Sequence, residues 1–511
     1  FLVTENGVRG NLENKFLRET VFPRLKTFST VITDWKFKMR GPRPPHSKVV
    51  IVEVDSASLE KVGRWPWHRD ATAYLIEKTF AAGAKVVGLD MVFSEPDQRI
   101  PPELGEILKT QNLGALVETF ETDFALGKVI EKYKDRLVLG YTTETACQPQ
   151  YDKPEECPVS NPDAIATHPA GFAKFAYSQF ETPNGFDPDK TPISSIPTFI
   201  ANIQLYNEPA LHAGYFNAFL DPDGYVRRTS MLMFAAGKPY PSLPLEMARV
   251  GLGEDLRLRL DSQQRVAAVE FAKSGRQIAV SDLGAMEVNF RGPGRTFTYV
   301  PALDVMADSD KIEIEINRKI ASYSKTDLLK DAYVLIGVSA LGVFDMRSFP
   351  FDSNVAGVEG HANILDNLLG GDPMVYGGGM AGYLTLLFLM TIGALAFSYF
   401  TQRLEAVPAL LLFVFIMAAA AISDQKLLFE QNYDWNTAFF AAEMFTIFVL
   451  TVAVKFVLEE RNKKFIRGAF SRYVAPAVVD SVLKDPTKLT VGGIKRELTI
   501  MFSDIRGFTT F

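Results

Sequence analysis

Val49-Val50-Ile51-Val52-Glu53-Val54-Asp55 is a β-branched run closed by a carboxylate. Apolar residues on both alternating faces describe a strand that is covered on both sides, as parallel sheets require. The same theme repeats outward from it. Residues 70–82 have helical spacing, with Asp70 placed as N-cap and Gly83 as the stop signal. Lys85–Leu89 is a second short strand and ends at Asp90; Arg136–Tyr141 is a third. Tyr225–Phe234, Ala285–Phe290 and Tyr333–Ile336 add strands, and helices near 243–251 and 357–369 alternate with them. The pattern specifies an α/β domain around a largely buried sheet, over about residues 41–375. The stretches 95–120 and 143–195 are rich in Pro, Asp and Asn and read as insertions, and residues 7–38 as a long amphipathic helix broken near Pro23.

The chain has 511 residues, enough for more than one domain. Its net charge is −6 and it has no Lys/Arg-rich run, so a nucleic-acid partner is not expected. Three apolar stretches, 381–400, 406–422 and 437–458, each approach the length that crosses a bilayer. Lys455, Arg461, Lys463, Lys464, Arg467 and Arg472 follow the last one, whereas the loop 423–436 sets Lys426 against Asp424, Glu430 and Asp434. The positive-inside rule then places 455–511 in the cytoplasm and 423–436 outside. Three crossings put residues 1–375 outside and call for a further membrane helix before Phe1. Gly377, Gly378 and Gly379 are expected to form a joint at the membrane. Two cysteines, Cys147 and Cys157, lie in a polar loop on the outer side, where either a disulfide or two free thiols is compatible with the sequence.

Two stretches resemble known families. Val49–Asp55 with Ser58, Gly63-Arg64-Trp65-Pro66-Trp67 with Arg69, Gly88-Leu89-Asp90, Phe93-Ser94-Glu95-Pro96-Asp97, Asp221-Pro222-Asp223-Gly224 with Val226-Arg227-Arg228, Gly337, Asp345, and Gly357-Val358-Glu359 with His361-Ala362-Asn363 are similar to the second variety of CHASE-type extracellular sensor. That resemblance implies a sensor followed by three transmembrane helices and a cytoplasmic output domain. Arg496-Glu497-Leu498-Thr499-Ile500-Met501-Phe502-Ser503-Asp504-Ile505-Arg506-Gly507-Phe508-Thr509 resembles the opening strand of class III nucleotidyl cyclase domains, which have an α+β, ferredoxin-like fold. Phe470–Pro476 and Gly492-Gly493 resemble that family's lead-in.

The residues themselves agree with this. Leu498, Ile500 and Phe502 alternate with Thr499, Met501 and Ser503, as in a strand. Asp504 stands at the strand end, and Gly507 lets the backbone turn closely around a phosphate. Magnesium prefers a carboxylate or two together with phosphate oxygens. The resemblance assigns metal contact to Asp504 and to the carbonyl of Ile505, and triphosphate contact to Gly507, Phe508 and Thr509. It implies two Mg2+ or Mn2+ ions, ATP as substrate, and cyclic AMP and pyrophosphate as products. The family's second metal-binding Asp and its transition-state residues would lie beyond Phe511, so residues 1–511 alone are expected to be inactive.

The resulting expectation is a multi-pass plasma-membrane receptor cyclase. Its domains are a helical lead-in (1–40), a sensor (41–375), three membrane helices (381–458), a signalling helix and transducer (459–490) and the first cyclase strand (491–511). Val454, Leu458, Arg461, Phe465 and Ala469 fall near 3.5-residue spacing and suit a short coiled coil in a homodimer. The competing reading is a membrane receptor or assembly module whose cyclase-like end is not catalytic. A histidine kinase is disfavoured, because no phospho-acceptor helix follows the last apolar stretch. The sensor's own ligand is unspecified. Asp55, Asp90 and Asp345 follow strands, where they would either ring a ligand pocket or cap the next element. Arg228 leads Arg64 and Arg227 as a candidate for holding an anion. Asp221–Gly224 resembles the start of a calcium loop, but a tight turn is the simpler reading. Trp65 and Trp67 are expected in packing and His361 as a satisfied buried histidine.

Overall fold

The computed structural model describes residues 22–470, with interruptions at 98–100, 114–116, 118–121, 145–170, 178–179, 185–186, 188–192, 194–195, 197, 236, 282, 317–318, 341–345, 377–378 and 436, and then residues 497 and 499–504. The principal strands are β1 (Val49–Val54), β2 (Val86–Leu89), β3 (Leu137–Glu144), β4 (His212–Tyr215), β5 (Thr298–Pro301) and β6 (Tyr333–Val338). The principal helices are α1 (Phe22–Arg40), α2 (Arg69–Ala81), α3 (Asp123–Tyr133), α4 (Leu243–Leu252), α5 (Gly357–Gly370), α6 (Gly379–Arg403), α7 (Ala406–Ser423) and α8 (Thr437–Phe470).

The strands lie in the order β5-β1-β6-β2-β3-β4, and every neighbouring pair is parallel. All six residues of β1 are buried. Val50, Val52 and Val54 face one core with Leu75, Ile76, Leu126 and Ile130 of α2 and α3. Val49 and Ile51 face a second core with Leu245 and Met247 of α4 and Ile364 and Leu365 of α5. The apolar run is thus explained by a sheet covered by helices on both faces. Gly140 is required by the close approach of β3 to the chain leaving β2, because a Cβ there would come within 2.1 Å of the Leu89 carbonyl oxygen.

Several expectations shift. Tyr225–Phe234 is two short strands, Arg228–Ser230 and Leu232–Ala235. The insertion at 95–120 carries a helix, Pro102–Thr110. Leu256–Leu260, alternating buried and exposed, joins a separate four-stranded sheet that the sequence reading passed over. The N-cap of α2 is His68, without a side-chain bond, and not Asp70; the Asp97 carboxylate accepts from the Arg69 amide instead, at 3.2 Å. Gly379 is the first residue of α6, so it belongs to a helix and not to the expected joint; Gly377 and Gly378 lie outside the described residues.

The chain divides into two compact units. The first comprises residues 1–387 and 418–439, so the loop between α7 and α8 belongs with the α/β sheet. The second comprises 388–417 and 440–511. Within it, Phe413 stacks on Phe448 at 4.8 Å and Lys455 donates to the Leu404 carbonyl. Among the described residues, Val407–Gln431 and Phe440–Phe465 are long and apolar enough to cross a membrane. Thr499–Asp504 belong to no helix or strand, and Ile500, Met501 and Phe502 are exposed. A strand needs a ladder partner, and no described strand lies beside this segment.

Candidate functional site

The carboxyl ends of β2, β3, β4 and β6 open on a cavity of about 480 Å³. Asp90 to Glu95, leaving β2, form one wall; Thr142 of β3, Phe216 and Asn217 after β4, and Val338 of β6 continue it. The first turns of α5 close one side with Gly357, Gly360, His361 and Ile364. Trp65, Pro66, Arg69, Thr229, Arg347 and Phe349 also line it. This is where parallel α/β sheets receive ligands, and the volume suits a small molecule.

Two sequence elements build the mouth by folding onto each other. The Arg69 guanidinium donates to the carbonyls of Trp67 (3.3 Å) and Glu95 (3.0 Å), and sits 4.6 Å from the centre of the Phe93 ring. Asp97 accepts from the Arg69 amide and from the Thr122 hydroxyl, and lies 3.3 Å from His68 Nδ1. Burial pushes the Asp97 carboxyl up, but these donors outweigh it and hold it below the ordinary value. Trp67 is buried and donates to the Gly63 carbonyl at 2.9 Å, while Trp65 reaches the cavity. The Gly-Arg-Trp-Pro-Trp and Phe-Ser-Glu-Pro-Asp elements are therefore two halves of one frame around the opening.

The expected site residues separate. Asp90 lines the cavity, and its Oδ1 lies 3.7 Å from His361 Nε2. Asp55 does not line it; its Oδ1 accepts from the Ser58 amide at 2.8 Å and caps the helix Ser56–Val62. Arg228 donates to Asp221 at 3.2 Å, lies 3.8 Å from Glu287, and is absent from the cavity lining. His361, expected as a satisfied buried histidine, is buried and also forms part of the cavity wall. Asp345, Cys147, Cys157, Ile505, Gly507, Phe508 and Thr509 lie outside the described residues; Asp504 is described and exposed. Arg347, Thr142, Thr229 and Phe216 were missed, and no local pattern marks them, because distant turns bring them together.

Asp221–Gly224 is a tight turn, with Gly224 at φ +84° and its amide bonded to the Asp221 carbonyl at 2.8 Å. Its carboxylates face Arg227 and not a cation site. Arg227 is buried and binds Asp221, Asp223 and Asp34 of α1 at 2.7–2.9 Å. Two residues further along α1, Lys36 is 4% exposed and reaches Asp424 and, at 2.9 Å, Asp434, both in the loop between α7 and α8. Arg43 donates to Asn432 Oδ1 and the Glu430 carbonyl, and Phe37 packs edge-on against Phe429. The far end of α5 joins the same region: Asp366 binds Arg291 and Asp372 binds it again, while Asn289 next to it donates to Asn432 Oδ1. One helix thus borders the cavity at its start and the α7–α8 loop's contacts at its end.

A buried parallel sheet with a cavity at its carboxyl edge is grouped in one compact unit with a loop between two apolar helices. The CHASE2 domain matches residues 16–395, and the chain belongs to the CHASE2 domain family. No curated relative and no solved structure matches the chain. CHASE2 domains are extracellular sensors, so the α/β unit is a receptor's sensory part. The match takes in α1 and runs into α6, beyond the 41–375 limits expected for the sensor.

Proposed function

We propose that the protein is a receptor-type class III adenylate cyclase, in which the CHASE2 unit outside the cell controls conversion of ATP to cyclic AMP and pyrophosphate on the cytoplasmic side of the plasma membrane. The observation that carries the output assignment is Phe502-Ser503-Asp504-Ile505-Arg506-Gly507-Phe508-Thr509. Membership in the sensor family and the two apolar helices support the receptor architecture. A third crossing by α6, with 25 residues, is part of the same reading. So is a homodimer, since cyclases of this class build each active site between two catalytic domains.

The two divalent ions belong to the complete catalytic pair. Among the described residues, no three His, Cys, Asp or Glu side chains converge on a metal position, and Asp504 offers a single exposed carboxylate. The described residues therefore do not hold the ion pair by themselves, and no catalytic step is assigned to them. The test is to assay the intact protein with ATP and with GTP, each with magnesium and with manganese. Cyclic AMP is the expected product, and Asp504→Ala should lower its rate about a hundredfold or more. Absence of any cyclic product leaves a sensory receptor with a non-catalytic output.

A further inference from the structure

We propose that the cavity receives an uncharged small molecule with an aromatic body, its ring against the aromatic lining and a hydroxyl or carbonyl group against the Thr142 hydroxyl. This rests on the sensor reading of the α/β unit and goes further by naming the ligand's chemistry.

The charges around the cavity are satisfied by the protein itself. Asp90 and Arg347 both have interaction partners within the chain; for Asp90 one of them is His361, at 3.7 Å. Arg69 donates to the carbonyls of Trp67 and Glu95 and lies 3.6 Å from Asp123. Glu95 is exposed, where water screens its carboxylate. Two arginines and two acidic residues line the space, so their formal charges cancel. A ligand with net charge would either lose its water without meeting an opposite charge or break a pair that the fold has made. Both are penalised.

The remaining lining is apolar surface and neutral hydrogen-bonding groups. Trp65, Phe93, Phe216 and Phe349 supply aromatic faces. Two of these rings are braced from behind: Phe93 is edge-on to Tyr206 at 5.8 Å, and Phe349 lies 5.1 Å from Phe290. A ring entering the cavity therefore finds walls that are already set, and ring pairs gain beyond the area they bury. Among the neutral polar groups, Asn217 is used by β3: it donates to the Thr143 carbonyl at 2.7 Å and accepts from the Thr143 amide at 3.0 Å. The Thr229 hydroxyl is directed to the Ser230 carbonyl. The half-buried Thr142 is different, because its hydroxyl makes no hydrogen bond among the described residues. A hydroxyl both donates and accepts, so it can meet a ligand's hydroxyl or carbonyl.

The experiment uses the full chain in lipid nanodiscs and reads binding by calorimetry, with the signal of empty nanodiscs subtracted. No nucleotide is present, so its outcome is independent of the cyclase assignment. Indole-3-ethanol, tryptamine and indole-3-acetate have the same ring and nearly the same size but carry no charge, a positive charge and a negative charge. The series 2-phenylethanol, phenethylamine and phenylacetate repeats the comparison with a smaller ring. At least one of the two alcohols should bind, and its charged analogues should bind about tenfold or more weakly, from the cost of burying an unpaired charge. Thr142→Val should weaken the bound alcohol about fivefold, from the loss of one neutral hydrogen bond, and leave 3-ethylindole or ethylbenzene unchanged. Should the variant fail to fold, as shown by melting without ligand, the charge series on the unaltered protein decides. Binding by neither alcohol, or a charged analogue that binds as well as its alcohol, overturns the proposal. Unchanged affinity for the alcohol in folded Thr142→Val overturns the assignment of its polar group.

Discussion

Glu246 shows what a buried carboxylate does in this fold. It is 3% exposed and accepts from Tyr177 Oη at 2.7 Å and from Arg249 at 2.6 and 2.9 Å, and it lies 2.9 Å from His212 Nδ1. Burial pushes its carboxyl up, but the bonds from Arg249 and His212 outweigh it and hold the group at about 2. A carboxylate depressed in the folded state stabilises above its unfolded value, and that stability is lost as pH falls toward the folded value. Glu246→Gln is therefore expected to cost on the order of 3 kcal/mol at neutral pH. The gap to the unaltered protein should narrow below about pH 4.5 and close near pH 2, as read by denaturant melts across that range.

The same scale shows what the sequence discloses about single residues. Asp55 and Asp90 look alike as strand-end aspartates. They part because a helix begins at Ser56 and takes the Asp55 carboxylate as its cap, whereas Met91-Val92-Phe93 continues irregularly and leaves Asp90 at the cavity. Arg228 looked like an anion ligand because its neighbours Asp221 and Glu287 are 7 and 59 positions away, and only folding sets them beside it.

At the scale of elements, α1 is held by charge on its inner face. Lys36 lies between Asp424 and Asp434, and Asp34 is bound by Arg227. Breaking a buried ion cluster from one side leaves uncompensated charge, which costs about 3–5 kcal/mol. Lys36→Met should destabilise the full chain by that amount in detergent melts, and adding Asp424→Asn with Asp434→Asn should recover most of it, a non-additivity expected only of contacting groups. Four of the six parallel strands, β1, β2, β3 and β6, were legible because a run such as Val49–Val54 has one stable setting; β4 and β5 and the covering helix α3 were not. The hold of α1 was not: Lys36 and Asp434 are 398 positions apart, and a lysine in an amphipathic helix reads as solvent-facing. The 423–436 loop belongs to the same compact unit as the α/β sheet, a grouping that its charge count alone does not give.

At the scale of the whole molecule, α8 runs unbroken for 34 residues, about 50 Å. It starts after the loop that joins the sensor unit. Val454, Leu458 and Phe465 on it are exposed, the last to 76%. In the homodimeric receptor cyclase proposed above, such a helix would transmit a shift outside as a change in pairing inside. Phe465→Asp in the intact protein should abolish cyclase activity or its regulation, measured as cyclic AMP formed. Ligand binding at the cavity should be unchanged, since Phe465 belongs to the other compact unit.

The pairing of Lys36 with Asp424 and Asp434 also fixes an order of assembly during translation. The sensor sheet is complete once β6 has left the ribosome, but Lys36, Arg43 and Phe37 meet their partners only after α7 has been synthesised and the loop behind it follows. A soluble fragment ending before α6, the natural choice for studying the sensor without lipid, would bury a lysine with neither of its two carboxylates. Supplying residues 418–439 by a short linker in place of the membrane helices is the way to restore them.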